Sequence, residues 1–234
     1  RTTFGDRMLE LDYTNVLDSS IGTQGIRKVA FEKAAESSRH VIEALSAARV
    51  GFADLPFDDA PVTAVRDFAK SHDYPTLLVL GIGGSALGPA ALDSALAPPN
   101  SSKRLVVLDN IDPDFIADTL ATLAPQDTMV NIIAKSGVTA ETMATFAIVR
   151  QWMVDRLGEA KAREHFVATT DPEKGDLLAI ARREKMPVFT IPPNVGGRFI
   201  AEVVIVDPPV SAGTAPPASS FTGARPTAVA GVNA

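Results

Sequence analysis

Five short apolar runs, each followed by a segment of helical character, set the tightest limit on how this chain can fold. They are Leu77–Leu80, Leu105–Leu108, Met129–Ile133, Phe166–Ala168 and Val188–Ile191. A strand with one wet face alternates apolar and polar residues, whereas a strand covered on both faces reads as an unbroken apolar run. Between the runs, helices are expected from about Leu87 to Leu96, from Pro113 to about Leu123 and from about Ala140 to Leu157. A last one is expected through Arg183, with Asp171 and Pro172 opening it. Asp112 before Pro113 is a good N-cap and first-turn pair, since the carboxylate accepts a free amide and proline has no N–H to lose. The alternation predicts an α/β fold, a doubly wound and mostly parallel five-stranded sheet flanked by helices. In such sheets ligands bind beyond the carboxyl ends of the strands, so the loops leaving those ends are where chemistry is sought.

The flanks differ in kind. From Ile26 to Arg49 the residues Ile26, Val29, Ala30, Ala34, Val41, Ile42, Leu45 and Ala48 fall on or near one helical stripe, closed by Gly51 and Pro56. A shorter helix from Thr63 to Ser71 follows, with Val62, Val65, Phe68 and Ala69 as its apolar side. Residues 1–25 show no sustained period and read as an irregular lead-in. Past Ile200 the chain has no Lys and is rich in Pro and Ala, and Pro208–Pro209 and Pro216–Pro217 oppose regular structure. Asp207 onward reads as disordered. The expected organisation is a helical N-terminal segment over 1–72, a sheet domain over 73–199 and an irregular or disordered tail over 200–234.

Composition removes several function classes. The net charge of −6 and the lack of a basic stripe argue against nucleic acid as a partner. The absence of cysteine removes disulfides, thiolate metal ligands and cysteine nucleophiles together. The apolar runs are too short to span a bilayer, and no basic region followed by an apolar stretch opens the sequence. A cytoplasmic protein without membrane contact is expected.

Three strand-end loops carry the chemistry. Gly81-Ile82-Gly83-Gly84-Ser85-Ala86-Leu87-Gly88-Pro89 leaves the first strand and enters a helix, so backbone N–H groups and the helix dipole converge on one point. With the Ser85 hydroxyl this is a phosphate cradle; the plainer reading is a tight turn. Pro89 follows the last glycine where a Walker loop needs Lys, which removes that option. The same residues do satisfy the dinucleotide fingerprint, and Asp109 sits where a ribose-binding acid would lie. After the third strand, Lys135, Ser136 and Thr139 supply a charge and two hydroxyls at a helix N-terminus, a second anion loop that a dinucleotide fold does not need. Thr139 also reads simply as the N-cap, with Glu141 in the first turn. After the fifth strand, Gly196 and Gly197 precede Arg198, which could approach a ligand and stabilise a developing oxyanion, or could be a solvated turn residue. His40, His72 and His165 lie away from strand carboxyl ends and read as surface histidines, and Ile148, Val149 and Trp152 as helix packing.

Taken in order, these three loops resemble glucose-6-phosphate isomerase, and Asp109-Asn110-Ile111-Asp112 resembles that family's connection after its second strand. The resemblance spans about Tyr13 to Phe199. It implies a sugar-isomerase sheet domain and an aldose–ketose isomerisation between glucose 6-phosphate and fructose 6-phosphate, as in glycolysis and gluconeogenesis. It also implies a homodimer in the cytoplasm, with no cofactor and no metal. By position, Gly84 and Ser85 match the first phosphate contacts, and Lys135, Ser136 and Thr139 the second. Gly197 and Arg198 match the pair beside the reacting carbons, where the arginine steadies an enediolate. Ala134 stands where the family places a serine. Losing that hydrogen bond to a charged group costs about 1.5–3 kcal/mol.

Proton transfer between C2 and C1 needs a carboxylate base. The family's glutamate base, and the histidine and lysine that open the ring, lie beyond the third loop. From Ile200 this sequence has one Glu, no His and no Lys. With Arg1 in place of Met, this leads to the expectation of a fragment, truncated or frameshifted after Phe199, that binds sugar phosphate and turns over poorly. A one-base shift at Gly213-Thr214-Ala215-Pro216 can read Val-Leu-Leu-Pro. The alternatives carried are a non-catalytic sugar-phosphate-binding module and an NAD-binding oxidoreductase.

Overall fold

The computed structural model describes residues 2–4, 9–48, 51–53, 55, 58–98 and 100–197. The expected tail, Phe199 and the catalytic candidate Arg198 lie outside the described residues. Backbone proximity divides the chain into two units, the first running to Arg49 and the second beginning at Val50.

In the first unit, residues expected to be irregular carry local structure. Strand β1 (Thr2–Phe4) pairs antiparallel with β2 (Leu9–Leu11). A 3-10 turn at Thr14–Val16 leads to the one-turn helix α1 (Asp18–Ile21), and a bridge joins Leu17 to Ile26. Such short pieces have no room for a period, so a periodicity search passes over them. Helix α2 (Lys28–Ala47) follows, with Phe31 stacked on Tyr13 at 4.6 Å between centroids. Val29, Val41, Ile42 and Leu45 of its expected apolar stripe are exposed.

The second unit opens with a 3-10 turn at Gly51–Ala53 and helix α3 (Asp59–Ser71). This helix starts before the expected Thr63 because Asp58 caps it, its carboxylate accepting the Ala60 N–H at 3.1 Å, and Pro61 is tolerated in a first turn. Then come β3 (Thr76–Leu80), α4 (Gly84–Leu96), β4 (Arg104–Leu108), α5 (Pro113–Ala121) and β5 (Thr128–Ala134). After them come α6 (Ala140–Leu157), α7 (Glu159–Ala162), β6 (Phe166–Thr170), α8 (Asp176–Glu184) and β7 (Val188–Thr190). The five strands β3 to β7 form one parallel sheet in the order β4-β3-β5-β6-β7. The α/β sheet is as expected, and the Asp112 cap is present, accepting the Phe115 N–H at 2.9 Å.

Strand order dictates the layers. From β3 the chain moves to β4 on one side, then crosses back and proceeds β5, β6, β7 on the other. Right-handed crossovers therefore place α4 on one face and α5, α6 and α8 on the opposite face. Packing agrees: Leu78, Leu80, Val130, Ile132, Phe166 and Ala168 share a core with Ile116, Phe146, Trp152, Met153 and Leu177. The reverse face holds Val79 and Ile133 against Ile191 and Val195. There α3 contributes Phe68, edge-on to Phe189 at 5.3 Å.

Two side chains depart from expectation. His165 is buried, not at the surface: it is 2% exposed, its Nδ1 lies 2.9 Å from the Thr128 carbonyl oxygen, and Tyr74 packs 4.9 Å from its ring. The contact ties the start of β6 to the start of β5, which is a structural role. Ile148 is exposed, while Val149 and Trp152 are buried as expected. Among the described residues no helix is long and apolar enough to cross a membrane.

Phe166 is 2% exposed and meets Phe146 edge to face at 5.7 Å. Phe166→Ala is expected to destabilise the fold by about 3–5 kcal/mol, read as a lower urea midpoint with an unchanged slope.

Candidate functional site

The order β4-β3-β5 contains a topological switch point, because the connections leaving β3 and β5 run to opposite faces. Leu80 is level with Ile132, so β5 runs two residues past the end of β3, and the two loops emerge from neighbouring strands whose axes are about 4.8 Å apart. Ser85 and Lys135, Ser136 and Thr139 stand on these two loops. The N-termini of α4 and α6 open onto the same edge, although in α4 the Ser85 and Ala86 N–H groups donate to the Ile82 and Gly83 carbonyls at 3.2 and 3.1 Å.

The first loop is shorter than expected. Helix α4 begins at Gly84 rather than near Leu87, with Gly83 as N-cap at φ +58°. Gly84 and Ser85 are therefore first-turn residues; the N-cap has no side-chain oxygen to offer, and the Ser85 N–H donates to the Ile82 carbonyl at 3.2 Å. Gly81 is demanded by sterics: a Cβ there would lie 2.7 Å from the Ser85 Cβ and 3.2 Å from the Ile133 carbonyl oxygen. That approach draws the loop down onto β5. Ser85 is 5% exposed.

In the second loop the Ser136 and Thr139 hydroxyl oxygens are 3.2 Å apart. Thr139 occupies the N-cap position of α6, yet its side chain makes no capping bond, so the plain capping role is not fulfilled. Ser136 Oγ accepts the Val138 N–H at 3.3 Å. The loop rests on a partner that periodicity does not show. Gly137, at φ +66°, lies against Gly175 at φ +107°, and a Cβ on Gly175 would stand 2.6 Å from the Ser136 carbonyl oxygen. The Leu177 N–H donates to the Gly137 carbonyl at 3.0 Å.

Asp171 and Pro172 do not open α8, which starts at Asp176. The Asp171 carboxylate instead accepts the Glu173 N–H at 2.9 Å and the Lys174 N–H at 3.2 Å, folding the link between β6 and α8 into a turn. An Asx turn and an N-cap use the same side-chain chemistry, so Asp-Pro is compatible with either. The Glu173 amide bond, with the Lys174 amide and the charges of Lys174 and Lys135, holds the Asp171 carboxyl below its ordinary range despite burial. Asp109 and Asn110 follow β4 as exposed residues, with Asn110 Oδ1 accepting the Asp112 N–H at 2.9 Å.

The third loop leaves β7 and packs on the reverse face of the sheet with Val79 and Ile133. Val195 is 1% exposed in the second core, and Gly51 packs so closely that a Cβ on it would lie 2.5 Å from the Asn194 Cγ. Gly197 is exposed, and it is the last described residue before Arg198. Lys135 joins this loop: its Nζ donates to the Pro193 carbonyl at 2.9 Å and to the Val195 carbonyl.

Gly175→Ala is expected to weaken any anion bound at Ser136 and Thr139, whereas Gly158→Ala, also at positive φ but with open space around it, is expected to leave that binding unchanged. Phosphate titration of both variants checks this. Because the Asp171 pKa is lowered by folding, its stabilisation is present above about pH 3.9, the unfolded value, and is lost as pH falls through the folded one. The stability gap between the parent chain and Asp171→Asn is therefore expected to be constant near neutrality and to close in acid, as followed by urea melts across pH.

Comparison with known proteins bears on these loops directly. The family profile Phosphoglucose isomerase matches residues 70–206, more than half of the chain and all three loops. A glucose-6-phosphate isomerase of Thermus thermophilus is 44% identical over 153 residues, covering 65% of this chain and 36% of that protein. The enzyme of the same name from Carboxydothermus hydrogenoformans is 34% identical over 207 residues, covering 82% of this chain and 44% of its own length. This chain thus spans less than half the length of those relatives. Among solved structures, a hypothetical protein from Thermus thermophilus superposes with a TM-score of 0.67 at 39% identity, over 73% of this chain and 41% of that one. A glucose-6-phosphate isomerase from Chlamydia trachomatis gives a TM-score of 0.54 at 32% identity, over 60% of this chain and 27% of its own. With the profile running through every strand of the sheet and the loops at the switch point, the chain belongs to the phosphoglucose isomerase family.

Proposed function

We propose that this chain supplies the phosphate-binding part of a glucose-6-phosphate isomerase, the enzyme that interconverts glucose 6-phosphate and fructose 6-phosphate through an enediolate. The observation that carries the reading is the pair of helix N-termini, of α4 and α6, at one switch point, with Ser85 on one and the adjacent Ser136 and Thr139 hydroxyls on the other. A phosphate dianion there would accept backbone N–H groups and hydroxyls and gain from both helix dipoles. Gly84 lets the backbone approach, and Lys135 adds positive charge beside the site. Gly197 and Arg198 follow from the third loop toward the sugar carbons, where the guanidinium would stabilise the developing oxyanion. The partner is a small sugar phosphate; no nucleic acid or membrane is required, and a cytoplasmic homodimer is the expected setting.

Turnover needs a base with a pKa near the working pH. Asp171 is the buried carboxylate near the strand ends, but the amides that hold it and keep its pKa low make it a poor proton acceptor. Binding without appreciable isomerisation by this chain is therefore expected. Calorimetric titration with glucose 6-phosphate and with NAD, beside a coupled isomerase assay, tests the proposal. Glucose 6-phosphate should bind, and Ser136→Ala should weaken it by about 1.5–3 kcal/mol, on the order of ten- to hundredfold. Tight NAD binding without sugar phosphate would sink the proposal in favour of the dinucleotide reading of Gly81 to Ala86.

A further inference from the structure

Lys135 is the first residue after β5, yet its ammonium bonds are made to the loop that follows β7. Two of its three N–H donors go to the carbonyls of Pro193 and Val195, across 58 and 60 residues of sequence. The loop that β7 feeds returns over the reverse face, where Val195 packs with Val79 and Ile133, and so comes within reach of the lysine. That loop also has little internal bonding of its own. Pro192 and Pro193 bring no N–H, and Val195 N to Pro192 O at 3.0 Å is the turn it makes. Carbonyls without backbone donors need partners, and Lys135 provides them. The other restraints on the loop are Val195, seated in the second core, and the close approach of Gly51 to Asn194. Those two fix its base. The lysine fixes its edge nearest the switch point.

We propose that Lys135 is a positioning residue, whose ammonium ties the loop after β7 to the loop after β5 and so sets where Gly196 and Gly197 stand relative to a bound sugar phosphate. The part concerning the sugar rests on the function proposed above; the tie itself does not. The charge of Lys135 is also among the causes that lower the pKa of Asp171, after backbone bonds from Glu173 and Lys174.

Hydrogen exchange and binding together test this on the full chain. In Lys135→Met, amide exchange at Val195, Gly196 and Gly197 should quicken by about tenfold or more, the equivalent of a charge-assisted hydrogen bond, while β3 and β5 keep their protection. Both ligands lose the charge beside the site, but glucose 6-phosphate should lose about tenfold more affinity than inorganic phosphate, because only the sugar reaches the third loop. Lys135→Arg, with donors for both carbonyls, should restore most of the protection. Unchanged exchange over 195–197 in Lys135→Met overturns the proposal. So does an equal loss of phosphate and of glucose 6-phosphate, which would mark the ammonium as a direct phosphate ligand. If the parent chain binds neither ligand, the functional reading fails and the exchange result alone decides the tie. If Lys135→Met does not fold, Lys135→Leu, likewise uncharged and without a donor, replaces it with the same expectations.

Discussion

Strand β5 is buried along its whole length, from Thr128 to Ala134, with β3 on one side and β6 on the other. Both its faces are covered, Val130 and Ile132 by the α5, α6 and α8 side and Ile133 by the side that holds Ile191 and Val195. A strand so enclosed cannot slip by one residue without sending each side chain to the wrong face. Its register with β3, Leu80 level with Ile132, therefore determines where the first two loops emerge. The connections leave β3 and β5 for opposite faces, and the gap between them is the crevice of the candidate site.

Around that crevice, close backbone contact does much of the positioning. Gly81 lets its loop settle against Ser85 and Ile133, Gly137 and Gly175 meet without side chains between them, and Gly51 admits Asn194. Each contact joins segments distant in sequence, and each would be filled by a single Cβ. Polar side chains complete the arrangement from the strand ends: Thr170 donates its hydroxyl to the Ala134 carbonyl at 2.7 Å, Asp171 folds the turn after β6, and Lys135 spans to the third loop. The same edge of the sheet thus combines helix N-termini that favour an anion with a carboxylate whose charge is already committed to local amides.

Much of this was legible beforehand. The five strands, the Asp112 cap and the span of α6 follow from apolar runs and cap chemistry, because burial on both faces and a free first-turn amide leave direct marks on local sequence. The start of α4 was less so: glycine is a weak helix former, and only the packed loop shows that Gly84 already lies in the first turn. Asp171-Pro172 fits a helix start or a turn equally well. His165 looks like any polar residue before a strand, and only the neighbouring Thr128 carbonyl and Tyr74 ring account for its burial.

By itself, the sequence determined the sheet, the family and the residue types at the strand ends, since hydrophobic period, caps and glycine-rich loops are properties of neighbouring residues. Tertiary structure decided the strand order, the switch point and the partners that shape the loops. Gly175 has no motif to announce it, and its value lies in the Ser136 carbonyl 2.6 Å from where its Cβ would stand. Lys135 reads from sequence as a charge for phosphate, while the fold gives its ammonium the carbonyls of Pro193 and Val195. Such contacts join residues tens of positions apart, and no local period or spacing encodes which distant backbone a side chain will meet.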